Sequence, residues 1–157
     1  SVYNSMTSRL LVDKIEGKAT SGIINIPNHV IQVVQNIGSA VTTSSSTPTT
    51  IASATITIQS GSKVYASCVG DQNNTSADAW NYYRIYRDST AVSQRYISQL
   101  SDEISRNANF TIFYLDTPSS SGTYTYTCKA WQGTGTIVYG ENGDVQAPTM
   151  ILMEIAG

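Results

Sequence analysis

The chain has little of the chemistry on which most enzymes depend. Its 157 residues include one histidine, His29, and two cysteines, Cys68 and Cys128. A single histidine cannot build a multi-histidine metal site, and no nucleophile-elbow sequence accompanies it, so we interpret His29 as a surface or interface residue rather than a catalytic base. Two cysteines allow at most one disulfide, far fewer than a disulfide-based framework needs. We therefore expect no catalytic residue, no metal site and no cofactor.

Charge is also scarce. Only 13% of the residues are charged, with nine Lys and Arg against eleven Asp and Glu, for a net charge of −2. Because no strong positive field can attract phosphate groups, nucleic acid is not an expected partner. No stretch approaches the roughly 20 apolar residues of a membrane span, so membrane insertion is not expected either. The polar surface must consist mainly of hydroxyl and amide groups.

Six acidic residues fall where turns are predicted. They are Asp71, Asp78, Asp88, Asp116, Glu141 and Asp144. We favour the interpretation that these carboxylates accept hydrogen bonds from backbone N–H groups of the turns. Two alternatives stay open, namely a carboxylate pair that cleaves glycosidic bonds and a calcium ion bound by residues 71–74 or 141–144. Neither of those segments has the spacing of a known calcium loop.

What the sequence does contain is a series of short alternating segments. From Ala52 to Ile58 apolar and hydroxyl side chains alternate, which is the two-residue period of a half-buried strand. Further strands are predicted at 31–35, 63–69, 81–87, 91–97, 109–115, 123–131, 135–139 and 148–155. Turn residues such as Asp88-Ser89, a predicted two-residue hairpin turn, separate them. This pattern predicts an all-β sandwich or barrel, forming one domain over residues 28–157.

The beginning of the chain differs from the rest. Residues 1–22 are small, polar and interrupted by glycine, except for Leu10, Leu11, Val12 and Ile15, whose spacing fits neither a long helix nor a core strand. We interpret residues 1–27 as an extended N-terminal arm that contacts another protein through these four side chains. Residues 38–50 are rich in Ser and Thr and are predicted to form an exposed loop or edge segment.

Aromatic residues are abundant, with ten tyrosines and two tryptophans. Alternation over residues 122–131 places Tyr124, Tyr126 and Cys128 on one face, which we predict to be core, and the intervening threonines on the exposed face. Cys68 shares the parity of its apolar neighbours, so both cysteines should point inward as free thiols, with a disulfide as the alternative. Aromatic side chains also suit interfaces, and together with the sparse charge they lead us to expect a trimer.

Several segments resemble structural proteins of tailed bacteriophages, especially cyanophages. The N-terminal ones are residues 6–18 (MTSRLLVDKIEGK) and 22–34 (GIINIPNHVIQVV). The others are residues 83–90 (YRIYRDST), 114–118 (YLDTP), 122–126 (GTYTY) and 150–155 (MILMEI). The resemblance implies an antiparallel jelly-roll β-sandwich of the tumour-necrosis-factor type, usually trimeric and displayed on a virion. Ser89 replaces the glycine that is usual in the hairpin turn, which affects the turn type more than the fold.

This resemblance makes a virion surface protein, produced in the host cytoplasm, the favoured function. As a capsid decoration (cement) protein, it would be a homotrimer whose arm contacts the major capsid protein or tail proteins through Leu10, Leu11, Val12 and Ile15. An arm and a head leave no room for the long shaft of a fibre, which favours decoration. The alternative is a tail-fibre or receptor-binding knob that contacts a glycan or protein on the host surface. A small glycan-cleaving enzyme is a remote alternative.

Overall fold

The structure, a computed structural model, describes residues 28–74, 80–99, 107–133, 135–140 and 147–157. Within these ranges the regular secondary structure consists entirely of β-strands, which confirms the all-β prediction. The strands are β1 (Val30–Ile37), β2 (Val41–Thr43), β3 (Thr49–Ile58), β4 (Lys63–Asn74), β5 (Trp80–Arg87), β6 (Thr90–Ala91), β7 (Tyr96–Gln99), β8 (Asn107–Asp116), β9 (Gly122–Gln132), β10 (Ile137–Tyr139) and β11 (Thr149–Ile155). The predicted arm lies outside the described residues.

Two antiparallel sheets form a β-sandwich. The first sheet has the order β1-β11-β4-β8. On the same side of β4 as β11, the short strand β10 pairs with the last residues of β4, and β2 pairs with the other edge of β10. The second sheet has the order β3-β9-β5, and β5 also pairs with β6 and β7. Because β1 pairs with β11 and β3 pairs with β9, strands from the two ends of the chain meet in each sheet, as in a jelly roll.

The alternation in β3 is confirmed. Ile56 is buried between the sheets, whereas Thr55 and Thr57 are exposed on the outer face of the second sheet. Their hydroxyls lie 2.9 Å and 2.8 Å from those of Thr125 and Thr123 on β9. Cross-strand hydroxyl pairs of this kind stabilise an antiparallel sheet by a few tenths to about 1 kcal/mol each. The same contacts set the register between β3 and β9.

The predicted core face of β9 is also confirmed. Tyr126 and Cys128 are buried. On the opposite face Thr123 is exposed and Thr125 is half-buried, but Thr127 is buried, so the predicted exposure of that face is wrong at Thr127. Cys68 of β4 and Cys128 are both free thiols, and they contact each other across the core. Burial raises the pKa of the Cys128 thiol well above its usual value, and the neighbouring Cys68 adds to the shift. In this state both behave as small apolar side chains.

Two of the predicted turn carboxylates accept backbone hydrogen bonds. Asp88, at φ 51°, opens the two-residue turn between β5 and β6. Its carboxylate accepts a hydrogen bond at 3.0 Å from the Thr125 amide of β9 and not, as predicted, from its own turn. Asp116 accepts one from the Thr117 amide at 3.0 Å. The prediction for Asp71 is wrong, because that residue lies inside β4 and pairs with β8.

The predicted strand at 91–97 is wrong in its middle part. β6 ends at Ala91 and β7 begins at Tyr96, because Val92 and Ser93 turn their amides onto the same acceptor, the carbonyl of Ile85. The Ser93 hydroxyl in turn accepts a hydrogen bond from the Ile85 amide at 2.9 Å. A side chain thus replaces a backbone partner and interrupts the regular ladder.

Candidate functional site

The outer side of the first sheet carries a continuous apolar surface. From β1 through β11 and β4 to β8, its cross-strand rows are Val33-Met153-Tyr65-Leu115, Gln35-Ile151-Ser67-Phe113 and Ile37-Thr149-Val69-Thr111. The residues between these positions, such as Leu152, Ala66 and Ile112, are buried in the core. The three rows therefore point away from the core, and we call them the apolar face.

None of the side chains of the apolar face is charged, and several of its large ones are open to solvent. Val33, Ile37, Phe113 and Leu115 are 57%, 66%, 54% and 48% exposed. At about 4.8 Å between strands and 3.3 Å per residue, the rows cover about 19 by 16 Å. This area of about 300 Å² matches the largest apolar patch of a typical monomer, and such a patch is often functional.

A buried carboxylate holds the edge strand β1 in place beneath this face. Glu154 accepts hydrogen bonds from the Gln32 amide group at 2.6 Å and from the Gln59 backbone at 2.8 Å, and Ser62 adds a third. Burial alone would raise the pKa of Glu154, but these hydrogen bonds outweigh it and hold the pKa below its usual value. Glu154 therefore stays ionised and keeps Val33 in line with β11.

The outer side of the second sheet carries a different surface. Its rows, from β9 through β5 to β7, are Trp131-Tyr82-Ile97 and Lys129-Arg84. Tyr86 continues the same side of β5, and Arg95 immediately precedes β7. We call Tyr82, Arg84, Tyr86, Arg95, Lys129 and Trp131 the aromatic–basic patch.

Cations and rings of the aromatic–basic patch are in contact. The guanidinium of Arg95 lies 4.8 Å from the centre of the Tyr82 ring, and the Lys129 ammonium lies 4.5 Å from that of Tyr86. The rings of Tyr82 and Trp131 lie 5.7 Å apart. Contacts of a cation with a ring face contribute about 0.5–1 kcal/mol at exposed sites. They hold the long cationic side chains close to the sheet.

An ion pair fixes the strand that supplies the patch. The Arg87 guanidinium lies 2.6 Å from the Asp116 carboxylate, which also accepts a hydrogen bond from the Tyr126 hydroxyl at 2.7 Å. Burial raises the pKa of Tyr126, and the hydrogen bond to Asp116 raises it further. These three side chains join β5 and β9 of the second sheet to β8 of the first.

A buried polar cluster lies between the sheets near the start of β5. Gln72 accepts a hydrogen bond from Asn81 at 2.9 Å and donates one to Ser98 at 3.0 Å. Two oxygens here, Asn81 Oδ1 and Gln132 Oε1, have no partner among the described residues. Buried atoms of this kind are usually satisfied by ordered water.

An open cavity of about 250 Å³ lies at the sandwich edge between β7 and β8. Tyr83 and Phe110, whose rings stack at 4.8 Å, form its apolar wall together with Ile112. Ser98 and Asn109 supply polar groups. The cavity can accept a small apolar or amphipathic group.

The predicted contact residues of the arm cannot be placed against these surfaces. Leu10, Leu11, Val12 and Ile15 lie outside the described residues. His29 is half-buried, and its carbonyl accepts a hydrogen bond from the Ala156 amide at 2.9 Å. Among the residues described, no three His, Cys, Asp or Glu side chains cluster around a possible metal ion. That part of the chain also contains no helix long and apolar enough to span a membrane.

Sequence reasoning missed both surfaces, although signals for them exist. Residues 110–115 (FTIFYL) and 150–153 (MILM) are almost continuously apolar, a pattern typical of strands covered on both sides. The spacing of Tyr82, Arg84 and Tyr86 places alternating aromatic and basic side chains on one side of a strand. Neither pattern indicates whether another part of the chain or a separate partner covers that side of the strand.

Comparisons with known proteins find little similarity. No protein-family model matches the chain, and no curated protein matches it significantly. Among solved structures, the chain is similar to a chain in the structure of infectious bursal disease virus, Gx strain, with 12% sequence identity and a TM-score of 0.39. The similarity covers 96% of this chain and 41% of that one, so this chain spans less than half of the length of its match.

Proposed function

We propose that the protein is a non-enzymatic structural protein of a virion surface and that it assembles as a homotrimer through its apolar face. The observation that carries the proposal is the exposure of Val33 and Ile37 on β1 and of Phe113 and Leu115 on β8, at the two ends of the uncharged rows that cross the first sheet. Covering these side chains removes apolar area from water at a gain of about 25 cal/mol per Å².

A second copy of the chain is the occupant that fits this face best. Interfaces between identical subunits are more apolar than transient ones, and their centres are depleted of charge. With a standard interface burying about 800 Å² per partner, the rows of the apolar face would supply the centre, and the residues around them would supply the rim. The threefold symmetry rests on the resemblance of the chain to trimeric bacteriophage proteins.

The virion location rests on the same resemblance. As a capsid decoration protein, the chain would use the arm over residues 1–27 to contact the major capsid protein, with Leu10, Leu11, Val12 and Ile15 as the apolar contacts.

Localisation on intact particles tests the proposal. Cryo-electron microscopy or gold labelling should find the domain on the capsid shell. Removal of residues 1–22 should abolish attachment to the shell and leave the melting temperature of the sandwich nearly unchanged. Labelling confined to the tail would contradict decoration, and a large loss of melting temperature would show that the arm belongs to the fold.

A receptor-binding knob is the second candidate, and the aromatic–basic patch favours it. The patch lies on the sheet opposite the apolar face, so a trimer assembled through that face would leave the patch accessible. Purified protein should then adsorb to host cells and compete with infection. Failure to do either would count against this candidate.

A glycan-cleaving enzyme remains the third and weakest candidate. Of the carboxylates in the described ranges, Asp116 is committed to Arg87 and Tyr126, and Glu154 is buried with three hydrogen-bond donors. Such an enzyme would release reducing ends from host polysaccharide. Substitution of paired carboxylates would abolish that release.

A further inference from the structure

No carboxylate of the described ranges pairs with a cation of the aromatic–basic patch. Among the described residues, Arg87 is paired with Asp116, whereas Arg84, Arg95 and Lys129 have no carboxylate within ion-pair distance. The Nε atom of Arg84 also has no hydrogen-bond acceptor in that part of the chain. A positive surface therefore persists on a chain whose net charge is −2.

We propose that the aromatic–basic patch binds an anionic polysaccharide. Arg84, Arg95 and Lys129 would contact carboxylate or sulfate groups, for which a guanidinium offers paired donors. The ring of Trp131 would pack against the apolar face of a sugar ring, and the Tyr82 ring, which contacts both Arg95 and Trp131, would hold these two side chains in place. The inference deepens the receptor-binding candidate, but it requires neither a tail location nor a trimer.

The neighbouring part of the same sheet supports a sugar ligand. Thr55 and Thr57 of β3 and their partners Thr123 and Thr125 of β9 cover it with hydroxyls. A hydroxyl that already makes one hydrogen bond keeps further acceptor capacity, so this ladder can bind sugar hydroxyls beside the cations. Charged groups and hydroxyls thus lie side by side on one surface, as they do along an acidic glycan.

Two other classes of ligand fit less well. A nucleic acid carries a charge at every nucleotide, and its affinity depends on many phosphate contacts. The patch offers three cations, and the whole chain contains nine Lys and Arg against eleven Asp and Glu. Tyr, Trp and Arg are common at protein interfaces, but a protein partner would leave the three cations desolvated and unpaired unless it brought a carboxylate to each of them.

The test measures binding of the full chain to polygalacturonate, dextran sulfate, neutral dextran and oligo(dT) by biolayer interferometry. Polygalacturonate or dextran sulfate should bind, more weakly as NaCl rises from about 50 to 500 mM because salt screens exposed charges. The R95Q/K129Q double variant should weaken this binding about tenfold or more, since hydrogen bonds to charged groups are lost. Tyr82→Ala should also weaken it.

Lys63→Gln is the matched control for Lys129→Gln alone, because each removes one positive charge and Lys63 lies in β4 of the first sheet. It should leave glycan binding unchanged. Equal loss in Lys63→Gln and in the double variant would overturn the proposal, as would equal binding of neutral dextran. Binding of oligo(dT) in place of either acidic glycan would assign the patch to nucleic acid instead. The mass of each variant, measured by light scattering, keeps a failure of glycan binding separate from a failure of assembly.

Discussion

Phe113 is the residue at which the proposed assembly can be tested most sharply. An aromatic side chain presents about 200 Å² of surface, so the 54% that Phe113 leaves exposed corresponds to about 110 Å². At about 25 cal/mol per Å², covering it is worth about 2.7 kcal/mol per subunit and about 8 kcal/mol for three copies. Phe113→Lys removes this contribution and adds a charge to an uncharged surface. The association constant of the trimer should fall by five orders of magnitude or more, at about 1.4 kcal/mol per tenfold.

Light scattering coupled to gel filtration measures the outcome. The unaltered protein should have about three times the 16.9 kDa mass of one chain, and Phe113→Lys should have the mass of one chain. Ile97→Lys is the matched control, because Ile97 is 50% exposed on the opposite sheet. The control should remain a trimer. A single-chain mass for the unaltered protein, or equal dissociation of the two variants, would refute the assignment of the apolar face.

Three further predictions concern the core. Asp116→Asn should lower the free energy of unfolding by about 1–3 kcal/mol, measured by urea denaturation, because it weakens the bonds to Arg87 and Tyr126. Asp88→Asn keeps a side-chain oxygen that can accept from the Thr125 amide, so it should cost less than about 0.5 kcal/mol. The pKa of Glu154 in the folded protein lies below its unfolded value of about 4.3, so the stability that Glu154 contributes is present above about pH 4.3 and is lost as the pH falls through the folded pKa. Glu154→Gln should therefore flatten the acid dependence of the free energy of unfolding. An unchanged profile would count against this role of Glu154. The thiol of Cys128 should react with alkylating reagents at pH 8 only at the rate of unfolding, because it is buried and its pKa is raised; fast reaction of the folded protein would contradict this.

The fold could be predicted because its signal is local. In β3 and β9 every second side chain is apolar, and such a segment can direct all of these side chains into the core only if it forms a strand. Asp88-Ser89 joins two strands with the minimum number of residues, so the hairpin could also be predicted. The end of β6 could not, because it depends on the Ser93 hydroxyl replacing a backbone partner at Ile85. That contact joins residues whose proximity the sequence pattern does not reveal.

The surfaces could not be predicted because they depend on the pairing of distant strands. Val33 and Leu115 belong to the same row only because β11 and β4 lie between them. Tyr82 and Trp131 likewise meet only through the pairing of β5 with β9. Each strand alone shows that one side is apolar or aromatic. Whether neighbouring strands extend that side into a continuous surface is decided by the sheet order.

The two surfaces have opposite physical requirements, which favours different roles for them. Burial of the apolar face is favourable because it removes apolar area from water. Because the face carries no charge, its burial desolvates no ion. The cations of the aromatic–basic patch would lose hydration in an interface without anionic partners, at a cost that their attraction to the rings does not offset. The first sheet is therefore suited to permanent contact with copies of the chain. The second sheet is suited to a hydrated, anionic ligand, and their placement on opposite sides of one sandwich lets both contacts exist at once.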